Sequence, residues 1–222
     1  MVGRAGSVAV LAALTVLVAG CGGTVAGTAT WPGATLEKVL LGSADFPSGV
    51  QYDRIHEQPG QPDSAGSPPS MLSKPQGCAN ALTNVIAKSA ERGPGSAAKY
   101  AVSYDGARIV MTVLSWHLDL DKLAAEAKRC ASFQTFFDPG AEGIPITTAE
   151  LPGVDKGVLA YQQTMQLQGA RSSVYMAFTN IGKLAMFGIA FPAADPRIES
   201  KASLPQTFLN VVAKQAAKMR AT

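Results

Sequence analysis

The stretch VLAYQQTMQLQGARSSVYMAFTNIGKLAMFGIAF, residues 158–191, holds three runs rich in β-branched and aromatic residues: 158–168, 172–180 and 183–191. So few residues separate them that only tight turns can join them, which predicts an antiparallel meander. With Gly169-Ala170 as the first turn, Leu167 faces Ser172, Met165 faces Val174, Gln163 faces Met176 and Tyr161 faces Phe178. The side-chain period of two then sorts the meander into two faces. One face collects Tyr161, Met165, Val174, Met176 and Phe178. With Ile181-Gly182 as the second turn, Phe187, Ile189 and Phe191 join it, and this is the expected core.

The other face collects Ala160, Gln162, Thr164, Gln166, Ser173, Tyr175, Ala177 and Thr179, joined by Leu184, Met186, Gly188 and Ala190. An apolar strip beside a few polar groups fits a small-ligand cleft. The favoured reading is a solvated outer sheet face with some cover from a loop or helix. The candidate ligand-facing residues are Gln162, Thr164, Tyr175, Thr179, Leu184 and Met186.

Working outward, the runs 99–104 and 107–116 are joined by Asp105-Gly106, a strong hairpin signal. A helix is expected from about Gly77 to Glu91, stopped at Gly93-Pro94-Gly95, and another from Asp119 or Asp121 to Ala131, with Asp suited to the N-cap. A last helix from about Leu204 to Met219 places Leu204, Phe208, Val211, Val212, Gln215 and Met219 on one side. Helices grouped against an antiparallel sheet predict an α+β fold. About five to seven strands and about three helices are expected, braced by one disulfide.

The N-terminus carries Arg4, an apolar run from Val8 to Val18 and then small residues up to Cys21. The run is about half the length a membrane-spanning helix needs, so it reads as a secretory signal over residues 1–20. Val18-Ala19-Gly20-Cys21 also resembles the lipobox of bacterial lipoproteins. That resemblance implies that Cys21 is acylated, becomes the first residue and holds the protein at the outer face of the cell membrane. Residues 21–34, small and turn-prone, suit a flexible tether. The remainder, 35–222, is expected to be a single domain, with a Pro-rich surface loop at 58–77.

The chain has three cysteines, Cys21, Cys78 and Cys130, and an export signal places them in an oxidising compartment. Lipid on Cys21 removes the odd one. Cys78 shares a helix-period stripe with Leu82, Val85 and Ile86, and Cys130 shares one with Leu123 and Ala127, so both face inward. A Cys78–Cys130 disulfide is expected, with two buried free thiols as the alternative.

Nothing in the chain singles out a catalytic site. There is no Gly-x-Ser-x-Gly elbow, and Gly93-Pro94-Gly95 follows a helix where a dinucleotide-binding loop must follow a strand. His117, Asp119 and Asp121 alternate like metal ligands, but the two Asp are explained by the helix that starts there. No metal and no cofactor are expected. The formal charge of +3 falls to +2 without Arg4, and the basic residues form no run, so nucleic acid is discounted as a partner.

Together the lipobox, the Thr28-Ala-Thr-Trp-Pro-Gly33 tether, LLGSADFPSGV at 40–50, AAEAKRCASF at 124–133 and VYMAFTNIGKLAMFGIAF at 174–191 resemble small mycobacterial secreted lipoproteins. Those are similar to the extracellular sensor domain of a mycobacterial receptor Ser/Thr kinase. The resemblance implies an antiparallel sheet with flanking helices and disulfides, and a cleft for an unidentified ligand. Two functions follow as expectations: a non-enzymatic, lipid-anchored binding or sensor domain for a small molecule, lipid or envelope component, or an interaction module for an envelope protein. A hydrolase is a distant third.

Overall fold

The computed structural model describes residues 32–56, 71–89, 95–167, 169–193 and 203–222. Cys21, the leader and most of the expected tether lie outside them. Four helices run over Pro32–Val39 (α1), Ala81–Ser89 (α2), Leu120–Arg129 (α3) and Leu204–Arg220 (α4). Nine strands run over Gln51–Ile55 (β1), Leu72–Lys74 (β2), Ala97–Tyr104 (β3), Ala107–Leu114 (β4), Ser132–Phe136 (β5), Ile144–Glu150 (β6), Val158–Leu167 (β7), Ala170–Ile181 (β8) and Leu184–Pro192 (β9). All nine pair antiparallel in one sheet, in the order β1-β3-β4-β9-β8-β7-β6-β5-β2.

This corrects the expected α+β arrangement of about five to seven strands and about three helices. The missed elements are short or carry atypical residues. β1 is QYDRI, an edge strand with two charges, and β2 is three residues inside the Pro-rich stretch. β5 has five residues and β6 carries Pro145 next to its start. α1 opens on Pro32, within residues expected as tether, where proline's fixed φ suits the first helical turn.

The meander forms with its register shifted. Leu167 pairs with Ala170 rather than Ser172, and Ile181 pairs with Leu184, so two positions separate the paired ends of each hairpin. Gly169 and Gly182 take positive φ, 81° and 58°, which other residues adopt only with strain. Each shift moves the cross-strand partner by two positions, so every side chain keeps its expected face. Asp105 and Gly106, at φ 51° and 72°, make the same kind of turn between β3 and β4.

Helices cover both faces, in offset pairs. On one face α2 and α3 bury Leu82, Val85, Leu123 and Ala127 against Tyr161, Met176, Phe178 and Ala185. On the other, α1 and α4 bury Leu36, Val39, Phe208, Val211, Val212 and Ala216 against Tyr100, Val102, Ile109, Met111, Ala177 and Met186. The larger core therefore lies on the face whose meander residues are the more polar.

The Cys78–Cys130 disulfide is present. Cys78 stands ahead of α2 and Cys130 is the C-cap of α3, so the bridge ties the start of one helix to the end of the other. Both cysteines are buried, beside Ala81 and Phe133. Asp119 is the N-cap of α3, its Oδ1 accepting from the Lys122 N–H at 2.9 Å.

Candidate binding face

The six candidate residues share the α1/α4 face of the sheet, and the helices divide them into two groups. Met186 lies opposite Val113 and Thr179 and is fully buried. Two positions on, Gly188 lies opposite Met111, and a Cβ there would stand 2.5 Å from Met111 Sδ and 3.1 Å from Phe208 Cε2. The missing side chain is what lets α4 seat Phe208 directly on the sheet, so the space over this part of the face is occupied. Thr179, also buried, donates from Oγ1 to the Gly157 carbonyl at 3.0 Å. Leu184 is half-buried at the β8–β9 turn.

Tyr175 marks the boundary. It is buried in the α1/α4 core and lies opposite Gln162 on β7. Beyond it, α4 no longer covers the sheet. Gln162 Nε2 donates to Ser173 Oγ at 2.9 Å, and Thr164 Oγ1 and Ser173 Oγ share a hydrogen bond at 3.0 Å. The same face continues over β6, β5 and β2, where Thr147, Ala149, Ser132, Gln134, Pro145, Lys74 and Leu72 are exposed.

In register, Ser132 lies opposite Thr147, Thr147 opposite Thr164, and Thr164 opposite Ser173. Four hydroxyls therefore stand in one row across four strands, spaced by about 4.8 Å per strand. Half of this row was out of reach of the sequence reading because β5 and β6 were not recognised. The alternation Ser132-Phe133-Gln134-Thr135-Phe136, with Phe133 and Thr135 buried and their neighbours facing out, was the available signal.

The described residues also hold a small cavity of about 50 Å³ between the β6–β7 connection and α4, lined by Val154, Asp155, Val158, Leu209 and Val212. Ligand pockets for metabolite-sized molecules run to roughly 300–1,000 Å³. This cavity has room for little more than one or two waters.

At the other end of the same helix layer, Asp45 is held below its ordinary carboxylate value. The cause is first the Gly42 N–H, donating to Oδ2 at 2.7 Å, and then Lys218, 2.9 Å away. Burial raises the phenol pKa values of Tyr52, Tyr100 and Tyr104, and Tyr52 and Tyr100 stack with centroids 5.5 Å apart. These aromatic and charged groups seat α1 and α4 on the sheet. The His117–Asp121 run serves local structure: His117 Nε2 lies 2.7 Å from the Gly182 carbonyl oxygen, across from the β8–β9 turn, and Asp119 is the cap already described.

Neither a protein-family model nor a curated protein matches the chain. Among solved structures, one similar chain is described as an X-ray structure of an uncharacterized protein (Rv0999 ortholog) from Mycobacterium smegmatis. It is 14% identical, with a TM-score of 0.48, over 85% of this chain and 95% of that one. The likeness is thus to a mycobacterial protein, at a level that assigns neither a sensor domain nor a lipid anchor.

Proposed function

We propose that this chain is a lipid-anchored protein of the outer face of the cell membrane, held there by acylated Cys21, and that its domain works by binding an envelope component. The observation that supports the anchor is the pairing of Cys78 with Cys130 within the folded domain. It leaves Cys21 as the one thiol without a partner cysteine, at the end of an apolar leader and behind the lipobox pattern. A buried bridge also suits an oxidising compartment.

For the binding role, two observations favour a partner met on the surface over a small molecule held inside. Phe208 fills the space above Gly188, and among the described residues the cavity beside α4 is too small for a metabolite. Among the described residues, the polar half of the sheet beyond Tyr175 is a broad exposed surface that can meet a partner. A sensor-type role of the kind the sequence resemblance implies would then act through another envelope protein.

Metabolic labelling with an alkyne-bearing fatty acid tests the anchor. The parent chain is expected to carry label and to partition with detergent, while Cys21→Ser carries none and is released. Equal labelling of both would end the anchored reading.

A further inference from the structure

The open half of the sheet carries a second ordered row beside the four hydroxyls. Lys74 on β2 lies opposite Gln134 on β5, Gln134 opposite Pro145 on β6, and Gln166 on β7 opposite Arg171 on β8. The adjoining pair Ile146–Met165 places Pro145 opposite Gln166, so one line crosses five strands. It reads cation, amide, proline, amide, cation. Four strand spacings of about 4.8 Å set the two cations roughly 19 Å apart. Lys74, Gln134, Pro145, Gln166 and Arg171 are all exposed.

No carboxylate stands in either row. The acids nearest in sequence, Asp138 and Glu142, belong to the β5–β6 turn, beyond the end of both strands. Glu150 lies opposite Tyr161 and so shares the other face of the sheet. Among the described residues the surface is therefore positive at both ends and neutral but hydrogen-bonding in between. Hydroxyls and primary amides both donate and accept, so the row matches a partner that does the same.

We infer that this half-sheet binds an extended anionic polysaccharide, one bearing carboxylates or phosphates among its hydroxyls, laid across the strands. Charge complementarity and the hydroxyl-amide rows argue for it. Among the described residues the face has no central large aromatic or aliphatic anchor of the kind on which protein partners concentrate their binding energy; Leu72 and Phe136 stand at its rim, with Lys74 Nζ 5.4 Å over the Phe136 ring. It also lacks the stacking aromatics and dense cations that single-stranded nucleic acid requires. The inference deepens the binding half of the function proposed above and rests on it. Lipid attachment is scored separately, because an unacylated chain can still bind and an acylated one can still fail to.

Affinity electrophoresis of the full chain in detergent tests it, with polygalacturonate, neutral dextran or polyglutamate cast in the gel. The expected result is retardation by polygalacturonate and by neither of the others, relieved by salt. Exposed ion pairs are individually weak, so Lys74→Gln with Arg171→Gln is expected to weaken retention roughly three- to ten-fold. Thr147→Glu, which places a like charge in the middle of the hydroxyl row, is expected to abolish it. Lys122→Gln with Lys128→Gln, exposed on α3 and on the opposite face, serves as the control matched in charge to the double variant and is expected to leave retention unchanged. Equal retardation by polyglutamate would show simple attraction to polyanions or an acidic protein partner. Equal retardation by dextran would remove the role of charge, and no retardation would remove the site. Each of these overturns the inference, as does a Thr147→Glu variant that melts like the parent and binds like it.

Discussion

Replacing Gln215 by leucine should loosen the whole α1/α4 layer. Gln215 is fully buried in α4; its Oε1 accepts from the Leu41 N–H at 3.1 Å and its Nε2 donates to the Val39 carbonyl at 2.7 Å. One amide thus serves a donor and an acceptor left over where α1 ends, and these residues are 174 and 176 positions away in sequence. Gln215→Leu conserves volume approximately but leaves both backbone groups buried without a partner. Each such orphan costs about 1–3 kcal/mol, and the leucine returns roughly 1 kcal/mol or more through apolar burial. The net expectation is a loss of about 2–4 kcal/mol. At 2–4 °C per kcal/mol for a chain of this size, the melting temperature should fall by roughly 5–15 °C. Urea unfolding measures the free energy, and hydrogen exchange at the Leu41 amide locates it. A variant within about 0.5 kcal/mol of the parent, with the Leu41 amide still protected, would refute the reasoning.

Gly188→Val drives a branched side chain against Met111 Sδ and Phe208, and overpacking of this kind costs about 1–3 kcal/mol; unchanged denaturant stability would mean that α4 is not seated as described. Cys78→Ser with Cys130→Ser opens a loop of 52 positions, for which the chain-entropy model gives about 4 kcal/mol. A loss below about 1 kcal/mol in the same urea assay would count against the bridge as a brace. Because the folded domain lowers the Asp45 pKa, the stability from that carboxylate is complete above its ordinary value of 3.8 and is lost as pH falls toward the folded value. Asp45→Asn should therefore flatten the acid limb of stability below about pH 4, and an acid limb identical to the parent's would show that other groups set it.

The meander was legible because its three strands are long and their alternation is strong. Even a register shift at both turns left the faces intact, since a shift of two positions preserves them. What the sequence did not disclose was which face the helices would cover. Tyr175, Ala177 and Ala190 sit in the larger core although their strand neighbours Thr179 and Ser173 are polar. The absence of a side chain at Gly188 and the length of Phe208 decide that packing, and residues in different elements must come together before either has meaning. Gln215 fell on the apolar stripe of α4 by periodicity alone, yet its partners, the Val39 carbonyl and the Leu41 N–H where α1 ends, were invisible because α1 itself was not expected. The hydroxyl row needed four strands in register, and two of them carried weak strand signals, β5 through its five-residue length and β6 through Pro145.

β1 and β2 are consecutive in the chain yet form opposite borders of the sheet. Neither can dock on the other. β1 waits for β3, with Gln51 meeting Ser103, and β2 waits for β5, with Leu72 meeting Phe136. Synthesis delivers both before their templates exist, so for part of the chain's assembly they are unpaired strands with open backbone groups. Their composition suits that interval: QYDRI carries two charges, and LSK is three residues with a lysine. Segments that read poorly as strands are, for the same reason, poor seeds for aggregation while the interior of the sheet assembles.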